Sequence, residues 1–184
     1  MKKKIAGSLP NILTFMNMSL GVVAILLAVN GSEGVDSLIL ASLLIMVAAL
    51  TDRFDGKVAR MLGTASDLGR ELDSLSDLIS FGVAPVVVAW KISMVHMGLA
   101  GYVITLIFPI AGAYRLARYN VTVFDNVFRG IPITLAGAFL AIDNLYNCFA
   151  LLNNKFTKVH STVTVLLVLL LSYLMVSKIK IKKM

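Results

Sequence analysis

Four aspartates in neighbouring apolar segments are the residues of this chain best suited to chemistry. Asp52 and Asp55 are three positions apart, and Asp73 and Asp77 are four apart. Residues at these spacings share one face of a helix. A charged side chain inside a membrane segment is costly unless it is paired, solvated or functional. The pattern therefore predicts one carboxylate-rich pocket that two consecutive helices form together.

Carboxylates held this close repel one another, so cations between them are expected. An all-oxygen site favours Mg²⁺, Mn²⁺ or Ca²⁺ over zinc. Four acidic side chains could hold two such ions, and a two-metal site suits phosphoryl chemistry because it stabilises both the attacking and the leaving oxygen. Nearby, Gly56 would let a substrate approach the helix backbone, and Arg60 could donate a bidentate pair of hydrogen bonds to a phosphate. The simpler alternative is a set of structural ion pairs, for example Asp52 with Arg115 or Asp73 with Arg70.

The elements that must position these residues are membrane helices. Of the 184 residues, 58% are hydrophobic and the net charge is +7. Soluble domains are about 45–50% apolar, so the excess is expected to face lipid. The single cysteine, Cys148, excludes an internal disulfide and a cysteine-based zinc site. The basic balance, with few aromatics, favours anionic lipid or an anionic substrate over nucleic acid.

Six segments are long and apolar enough to span a bilayer, so we expect an all-α, polytopic protein with one membrane domain over residues 1–184. The predicted spans are 12–30, 36–60, 72–90, 97–119, 131–152 and 160–178. Pro85 is expected to kink the third span. Residues 1–10, with three lysines, predict a short interfacial helix, the alternative being a disordered basic tail. No small-residue cleavage site follows them, which favours a retained helix over a signal peptide.

Lysine and arginine positions predict the orientation. With the N-terminus in the cytoplasm, 14 of the 17 basic residues fall on the cytoplasmic side and three on the other. This positive-inside bias predicts that both termini are cytoplasmic and that the aspartates lie near the cytoplasmic face of the cell membrane.

The aspartates belong to a longer pattern that resembles the complete signature of the CDP-alcohol phosphatidyltransferase family. Its eight fixed positions span 26 residues and are Asp52, Asp55, Gly56, Ala59, Arg60, Gly69, Asp73 and Asp77. The resemblance implies six membrane helices, a homodimer, and a two-metal enzyme that cleaves a CDP-linked lipid at its pyrophosphate and releases CMP.

The same resemblance implies roles for individual residues. The four aspartates would bind two divalent cations, Mg²⁺ or Mn²⁺, with Ca²⁺ possible, and Asp77 would also be the general base. The CDP moiety would be bound by Asn11, Thr14, Gly56, Arg60, Thr64, Ser66 and Gly69, with either Thr64 or Ser66 supplying a hydroxyl from the loop.

The acceptor alcohol is predicted from two further segments. Residues 80–85, Ser-Phe-Gly-Val-Ala-Pro, and residues 115–120, Arg-Leu-Ala-Arg-Tyr-Asn, are similar to the phosphatidylserine synthase branch, as is the Gly-Ile-Pro at 130–132. We therefore expect L-serine as the acceptor, bound by Arg115, Arg118 and Asn120. Inositol phosphate and glycerol phosphate remain alternatives, and ordinary anchoring at a helix end is the alternative role for the two arginines.

Two other classes of protein also place aspartates in membranes. A cation or proton transporter would more often have them near the midplane on broken helices, whereas here they cluster at one edge beside arginines. An intramembrane prenyltransferase typically spaces its aspartates as Asp-x-x-x-Asp, but the positions of Gly56, Ala59, Arg60 and Gly69 fit the CDP-lipid family instead. A further acid, Asp143, lies within the fifth span without an evident partner, and could face water or a second copy of the chain.

Overall fold

The protein is a bundle of membrane-length helices, seen here in a computed structural model. The structure describes the backbone of residues 2–30, 34–62, 67–121, 128–177 and 180–181, and side chains within 11–30, 34–53, 67–121 and 130–177. The α-helices are α1 (Lys2–Val29), α2 (Gly34–Leu62), α3 (Asp67–Asp77), α4 (Ala84–Ala89), α5 (Leu99–Val121), α6 (Ile133–Leu152) and α7 (Lys158–Val176). Between α3 and α5 the chain also forms π-helical turns at Leu78–Val83 and Trp90–Met94 and a 3₁₀ turn at Val95–Met97.

In the described part of the chain, six stretches are long and apolar enough to cross a membrane, which confirms the predicted number of spans. They are Asn11–Val29, Gly34–Arg53, Asp67–Met97, Leu99–Val121, Ile133–Leu152 and Lys158–Val176. Residues 2–10 continue into α1 without a break, so the structure gives one long helix where the sequence predicts a separate interfacial one. The interfacial position of those residues stays a prediction.

The third span is the centre of the bundle. In its most apolar stretch 61% of the residues are buried, against 28–39% in the other five spans. Large side chains such as Phe81 and Val86 are fully buried there. Because this span begins with α3, the aspartates at its start are fixed to the most enclosed element of the fold.

Pro85 lies in the first turn of α4, directly after the π-helical turn. In that turn the N–H of Ala84 donates to the carbonyl of Ile79, five residues earlier. A proline lacks an N–H and its ring collides with the preceding turn of a regular helix, and a wider turn relieves this. The chain therefore continues as a helix through Pro85, and the turn just before this residue is widened.

A short strand pair, absent from the sequence prediction, joins the start of the fifth span to the end of the chain. Strand β1 (Phe128–Arg129) pairs antiparallel with β2 (Lys180–Ile181). Next to it Gly130 has φ +76°, and a Cβ there would lie 2.6 Å from the carbonyl oxygen of Met175. Only glycine fits both conditions, so the segment that leads into α6 is held against the end of α7.

Candidate active site

Three aspartates come together where α2 meets α3. One carboxylate oxygen from each of Asp52, Asp73 and Asp77 lies within 4.8 Å of the others. Asp52 and Asp77 are partly buried and Asp73 is exposed. The one-turn spacing of Asp73 and Asp77 puts both on the face of α3 that meets Asp52, as the sequence predicts. Asp55 lies on α2, but its side chain is outside the described residues, so its place in the cluster stays a prediction.

The donor set of this cluster fits a hard divalent cation. All three groups are carboxylates, which offer only acceptor oxygens when ionised. The Oδ1 atom of Asp77 is buried and has no hydrogen-bond partner among the described residues. A buried carboxylate oxygen without a donor is costly, and a bound cation would remove that cost. The cluster is therefore chemically suited to hold metal.

Two serines hold α3 and the turn that follows it against α1. Ser76 donates a hydrogen bond to the carbonyl of Thr14 (3.0 Å), and Ser80 donates one to the carbonyl of Asn17 (2.9 Å), both in buried surroundings. The approach is close because residue 21 is glycine, where a Cβ would lie 2.6 Å from the Ser80 hydroxyl oxygen. These contacts fix the rotation of α3 and so the direction in which Asp73 and Asp77 point.

Helix α6 contributes a residue that the sequence prediction missed. The hydroxyl of Thr134, in the first turn of α6, donates to Oδ2 of Asp52 at 3.4 Å. Thr134 is 82 positions away in the chain and belongs to none of the recognised motifs. The only local signal for Thr134 was its position two residues after Pro132, since a proline often marks the start of a helix.

Arg115 is a basic residue that lies close to Asp77 of this cluster. It lies on α5, is only 9% exposed, and is close enough to Asp77 to interact with it electrostatically. Its Nε atom is buried without a hydrogen-bond partner, and no aspartate pairs with it within 4 Å in the described part of the chain. Neither predicted ion pair is present there, since Arg70 pairs with Asp67, at 3.2 Å, and not with Asp73.

The two other predicted acceptor residues have partners within the protein. Arg118 donates to the carbonyls of Val176 (2.9 Å) and Ser177 (3.4 Å) at the end of α7. Asn120 donates to the carboxylate of Glu71 (3.2 Å) and to the hydroxyl of Ser74 (3.1 Å) on α3. Both contacts tie the end of α5 to neighbouring helices, and their predicted role in acceptor binding stays a prediction.

The residues predicted to bind the nucleotide fall into two groups. Asn11 and Thr14 lie one turn apart on α1, with Thr14 buried against α3, and Gly69 lies on α3 one turn before Asp73. Ser76, one residue before Asp77, donates to the carbonyl of Thr14, so this part of α1 packs against the helix that carries Asp73 and Asp77. The predicted contact of these three residues with the nucleotide stays a prediction. Gly56 and Arg60 lie on α2 beyond its described side chains, and Thr64 and Ser66 lie outside the described residues.

Comparisons with known proteins agree with this geometry. The family model described as CDP-alcohol phosphatidyltransferase matches residues 7–179. The chain is 34% identical to the CDP-diacylglycerol–serine O-phosphatidyltransferase of Helicobacter pylori, over 93% of this chain and 70% of that protein. It is 38% identical to the Bacillus subtilis protein of the same name, over 76% and 73% of the two chains. It is also 34% identical to the archaetidylserine synthase of Methanothermobacter thermautotrophicus, over 93% and 72%. This chain belongs to the CDP-alcohol phosphatidyltransferase family.

Proposed function

We propose that this protein transfers a phosphatidyl group from a CDP-lipid to the hydroxyl of L-serine, giving phosphatidylserine and CMP. The lipid is CDP-diacylglycerol or its archaeal ether equivalent. The observation that carries the proposal is the cluster of Asp52, Asp73 and Asp77, with its unpartnered buried oxygen, in a chain of this family. The names of the relatives support serine as the acceptor over inositol phosphate and glycerol phosphate.

Two divalent cations, Mg²⁺ or Mn²⁺, complete the proposed site, with Asp52, Asp55, Asp73 and Asp77 as their ligands. When bound, they would neutralise the pyrophosphate and lower the barrier to its cleavage. The support is the donor set, since three of these carboxylates converge in the structure and carry only acceptor oxygens.

Asp77 is the proposed general base. It is the more enclosed of the two cluster aspartates on α3. Its buried Oδ1, which has no hydrogen-bond partner among the described residues, could take the proton of the serine hydroxyl. As the proton moves to Asp77, the serine oxygen forms a bond to the lipid-bearing phosphorus. The bond from that phosphorus to the bridging oxygen of the pyrophosphate breaks, and CMP leaves with the electron pair.

The nucleotide is proposed to lie between α1, α2 and α3. Thr14 and Asn11 lie on α1, which a hydrogen bond from Ser76 to the Thr14 carbonyl joins to α3, and Gly69 lies on α3 one turn before Asp73, which supports their contact with the CDP moiety. Gly56, Arg60, Thr64 and Ser66 are assigned to the same moiety through the family motif alone. A CDP-lipid bound in this way would keep its tails along the outer helix surfaces, where Phe15, Met16 and other large apolar side chains are exposed.

The proposed setting is the cell membrane, with both termini and the active site on the cytoplasmic side. The distribution of lysine and arginine supports this orientation. Residues 1–10 are proposed to lie along the headgroups as the start of α1, and the enzyme is proposed to act as a homodimer, as the family resemblance implies.

Release of CMP tests this function. Purified full-length protein in mixed micelles with CDP-diacylglycerol is given Mg²⁺ or Mn²⁺ and one acceptor at a time: L-serine, inositol, inositol phosphate or glycerol phosphate. We expect CMP and phosphatidylserine only with serine and metal together. If a lipid product formed with inositol phosphate or glycerol phosphate and not with serine, that alcohol would be the acceptor. Metal-dependent ion flux without CMP release would indicate a transporter.

A further inference from the structure

The end of α7 accepts hydrogen bonds from two other parts of the bundle. The last carbonyls of a helix have no partner within that helix. Here Arg118 of α5 donates to the carbonyls of Val176 (2.9 Å) and Ser177 (3.4 Å), and the helix dipole also favours a cation at this end. The carbonyl of Leu174 accepts from the N–H of Ile131, two residues before α6 begins, at 3.3 Å. The end of α7 therefore joins α5 to the segment that leads into α6.

That segment packs closely against α7. Gly130 is buried, and a Cβ there would lie 2.6 Å from the carbonyl oxygen of Met175 and 2.8 Å from that of Leu174. Strand β1, directly before Gly130, pairs with β2 beyond α7. Pro132, whose ring fixes φ, is the last residue before α6. Because so few residues separate these contacts from α6, the position of its first turn depends on the end of α7.

The first turn of α6 in turn contacts the aspartate cluster. Its Thr134, three residues after Ile131, donates to Oδ2 of Asp52 at 3.4 Å. This bond is already long, so a displacement of the turn by about 1 Å would break it. A hydrogen bond to a metal-ligating carboxylate fixes the orientation of that carboxylate. Three successive contacts therefore connect Arg118 to Asp52: with the end of α7, with the segment before α6, and through Thr134.

We propose that Arg118 is a positioning residue of the metal site, which holds the first turn of α6 in place by binding the end of α7 and so keeps Thr134 on Asp52. The inference rests on the proposed function, because it concerns how the aspartate cluster of that function is set for metal. This role differs from the acceptor binding that the family resemblance implies for Arg118. A change at Arg118 should therefore weaken the binding of metal and not that of serine.

Hydrogen exchange in the metal-free protein tests whether Arg118 holds the start of α6. Arg118→Met keeps an unbranched side chain but removes its charge and its donors. We expect the amides of residues 131–137 to exchange about tenfold faster in this variant, and those of 145–152 to exchange as in wild type. Asp143→Ala is the matched control, since it weakens a different contact between α6 and α7, at Thr164, and should leave exchange at 131–137 unchanged.

Mn²⁺ binding, followed by electron paramagnetic resonance, tests whether the effect reaches the aspartates through Thr134. We expect Arg118→Met to weaken Mn²⁺ binding about three- to fivefold when Thr134 is present, but less than about 1.5-fold in protein that already carries Thr134→Val. General loosening of the fold would add its effect in both backgrounds. Arg118→Lys keeps a cation at the end of α7 and should bind Mn²⁺ within about twofold of wild type.

Kinetics separate this role from acceptor binding. At saturating metal, KM for serine in Arg118→Met should stay within about twofold of wild type. If Arg118→Met does not fold, Arg118→Gln, which keeps one neutral donor, serves in the same comparisons with the same expected directions.

Three results would overturn the proposal: wild-type exchange at residues 131–137, an equal loss of Mn²⁺ affinity in both Thr134 backgrounds, or a large rise in KM for serine with normal Mn²⁺ affinity. The last of these would assign Arg118 to the acceptor. A wild-type protein that binds Mn²⁺ but transfers no phosphatidyl group would instead refute the proposed function, and the exchange and Mn²⁺ measurements would still decide the role of Arg118.

Discussion

Two groups of polar side chains lie within the apolar helices of this protein, and they differ in how well the protein itself satisfies them. At Asp143, Oδ2 accepts hydrogen bonds from the hydroxyl of Thr164 (2.7 Å) and from Nδ2 of Asn147 (3.0 Å). The same Asn147 nitrogen also donates to the Thr164 hydroxyl (2.9 Å). At the aspartate cluster Asp77 lies beside two other carboxylates as well as near Arg115, and one of its oxygens has no described hydrogen-bond partner.

The difference distinguishes a polar group that the protein satisfies by itself from one that is suited to hold a ligand. Asp143 is joined to its own helix and to α7 by donors, so its negative charge is stabilised without a ligand. Asp52, Asp73 and Asp77 repel one another until a cation joins them. Thr134 and Asp143 are nine residues apart on α6, or roughly 13 Å along the helix, so the two groups are distinct sites. A buried aspartate alone therefore does not indicate a ligand site, whereas converging carboxylates with a buried oxygen that no described donor satisfies are suited to one.

The largest expected effect follows from replacing the proposed base. Asp77→Asn should lower the rate of CMP release by about 10³-fold, because it removes both a proton acceptor and a metal ligand. Asp143→Asn is the matched change in the other group and should keep activity within about twofold of wild type. A loss of activity in Asp143→Asn as large as that in Asp77→Asn would contradict the comparison.

A change at Asp143, which should hardly affect activity, should instead lower the stability of the fold. Asp143→Ala removes the acceptor of the Thr164 hydroxyl and one of the two acceptors of Asn147, so we expect it to lower the free energy of unfolding by about 1–3 kcal/mol. Thermal unfolding in detergent, together with CMP release per folded enzyme, measures the effect. If Asp143→Ala unfolded at the wild-type temperature, the hydrogen bonds of this group would not stabilise the fold.

A smaller effect is expected at the contact between α6 and the aspartate cluster. Thr134→Val keeps the shape of the side chain but removes the hydroxyl that donates to Asp52, so the metal concentration for half-maximal activity should rise about three- to tenfold. Thr134→Ser keeps the hydroxyl and should stay within about twofold of wild type. A normal metal requirement in the valine variant would show that this 3.4 Å contact does not position Asp52.

The smallest expected effect is a gain in stability. Asp73→Asn removes one of two like charges a single turn apart on α3, which should raise the free energy of unfolding of the metal-free protein by about 0.2–0.5 kcal/mol. At saturating Mg²⁺ the wild-type protein should be more stable than Asp73→Asn, because metal stabilises only a protein that binds it. Thermal unfolding of the two proteins, once with EDTA and once with Mg²⁺, measures these differences. If Asp73→Asn were the more stable protein in both conditions, Asp73 would not be a metal ligand.

The sequence predicts the parts of this molecule that depend on local periodicity. Helical spacing alone places Asp73 and Asp77 on one face, and the lengths of the apolar segments give the six spans. The short connection between α2 and α3 also predicts that Asp52 lies near both.

Contacts between distant spans could not be predicted in the same way. Thr134 contacts Asp52 only because α6 packs against α2. Arg118 contacts Val176 because the C-terminal ends of α5 and α7 lie together in the bundle. Asp143 looked unpartnered in the sequence because its second donor, Thr164, lies 21 positions away on the next helix. A single sequence does not specify which helix faces are neighbours, and these contacts depend on that.

Binding of Mn²⁺, followed by electron paramagnetic resonance, tests most directly whether the aspartate cluster is the metal centre. The measurement titrates Mn²⁺ into the purified wild-type protein and into Asp77→Asn and Asp143→Asn. We predict tight binding by wild type and by Asp143→Asn, and binding about tenfold or more weaker in Asp77→Asn, in parallel with its loss of CMP release. Wild-type Mn²⁺ affinity in Asp77→Asn, or its loss in Asp143→Asn, would contradict the assignment of the metal to the cluster of Asp52, Asp73 and Asp77.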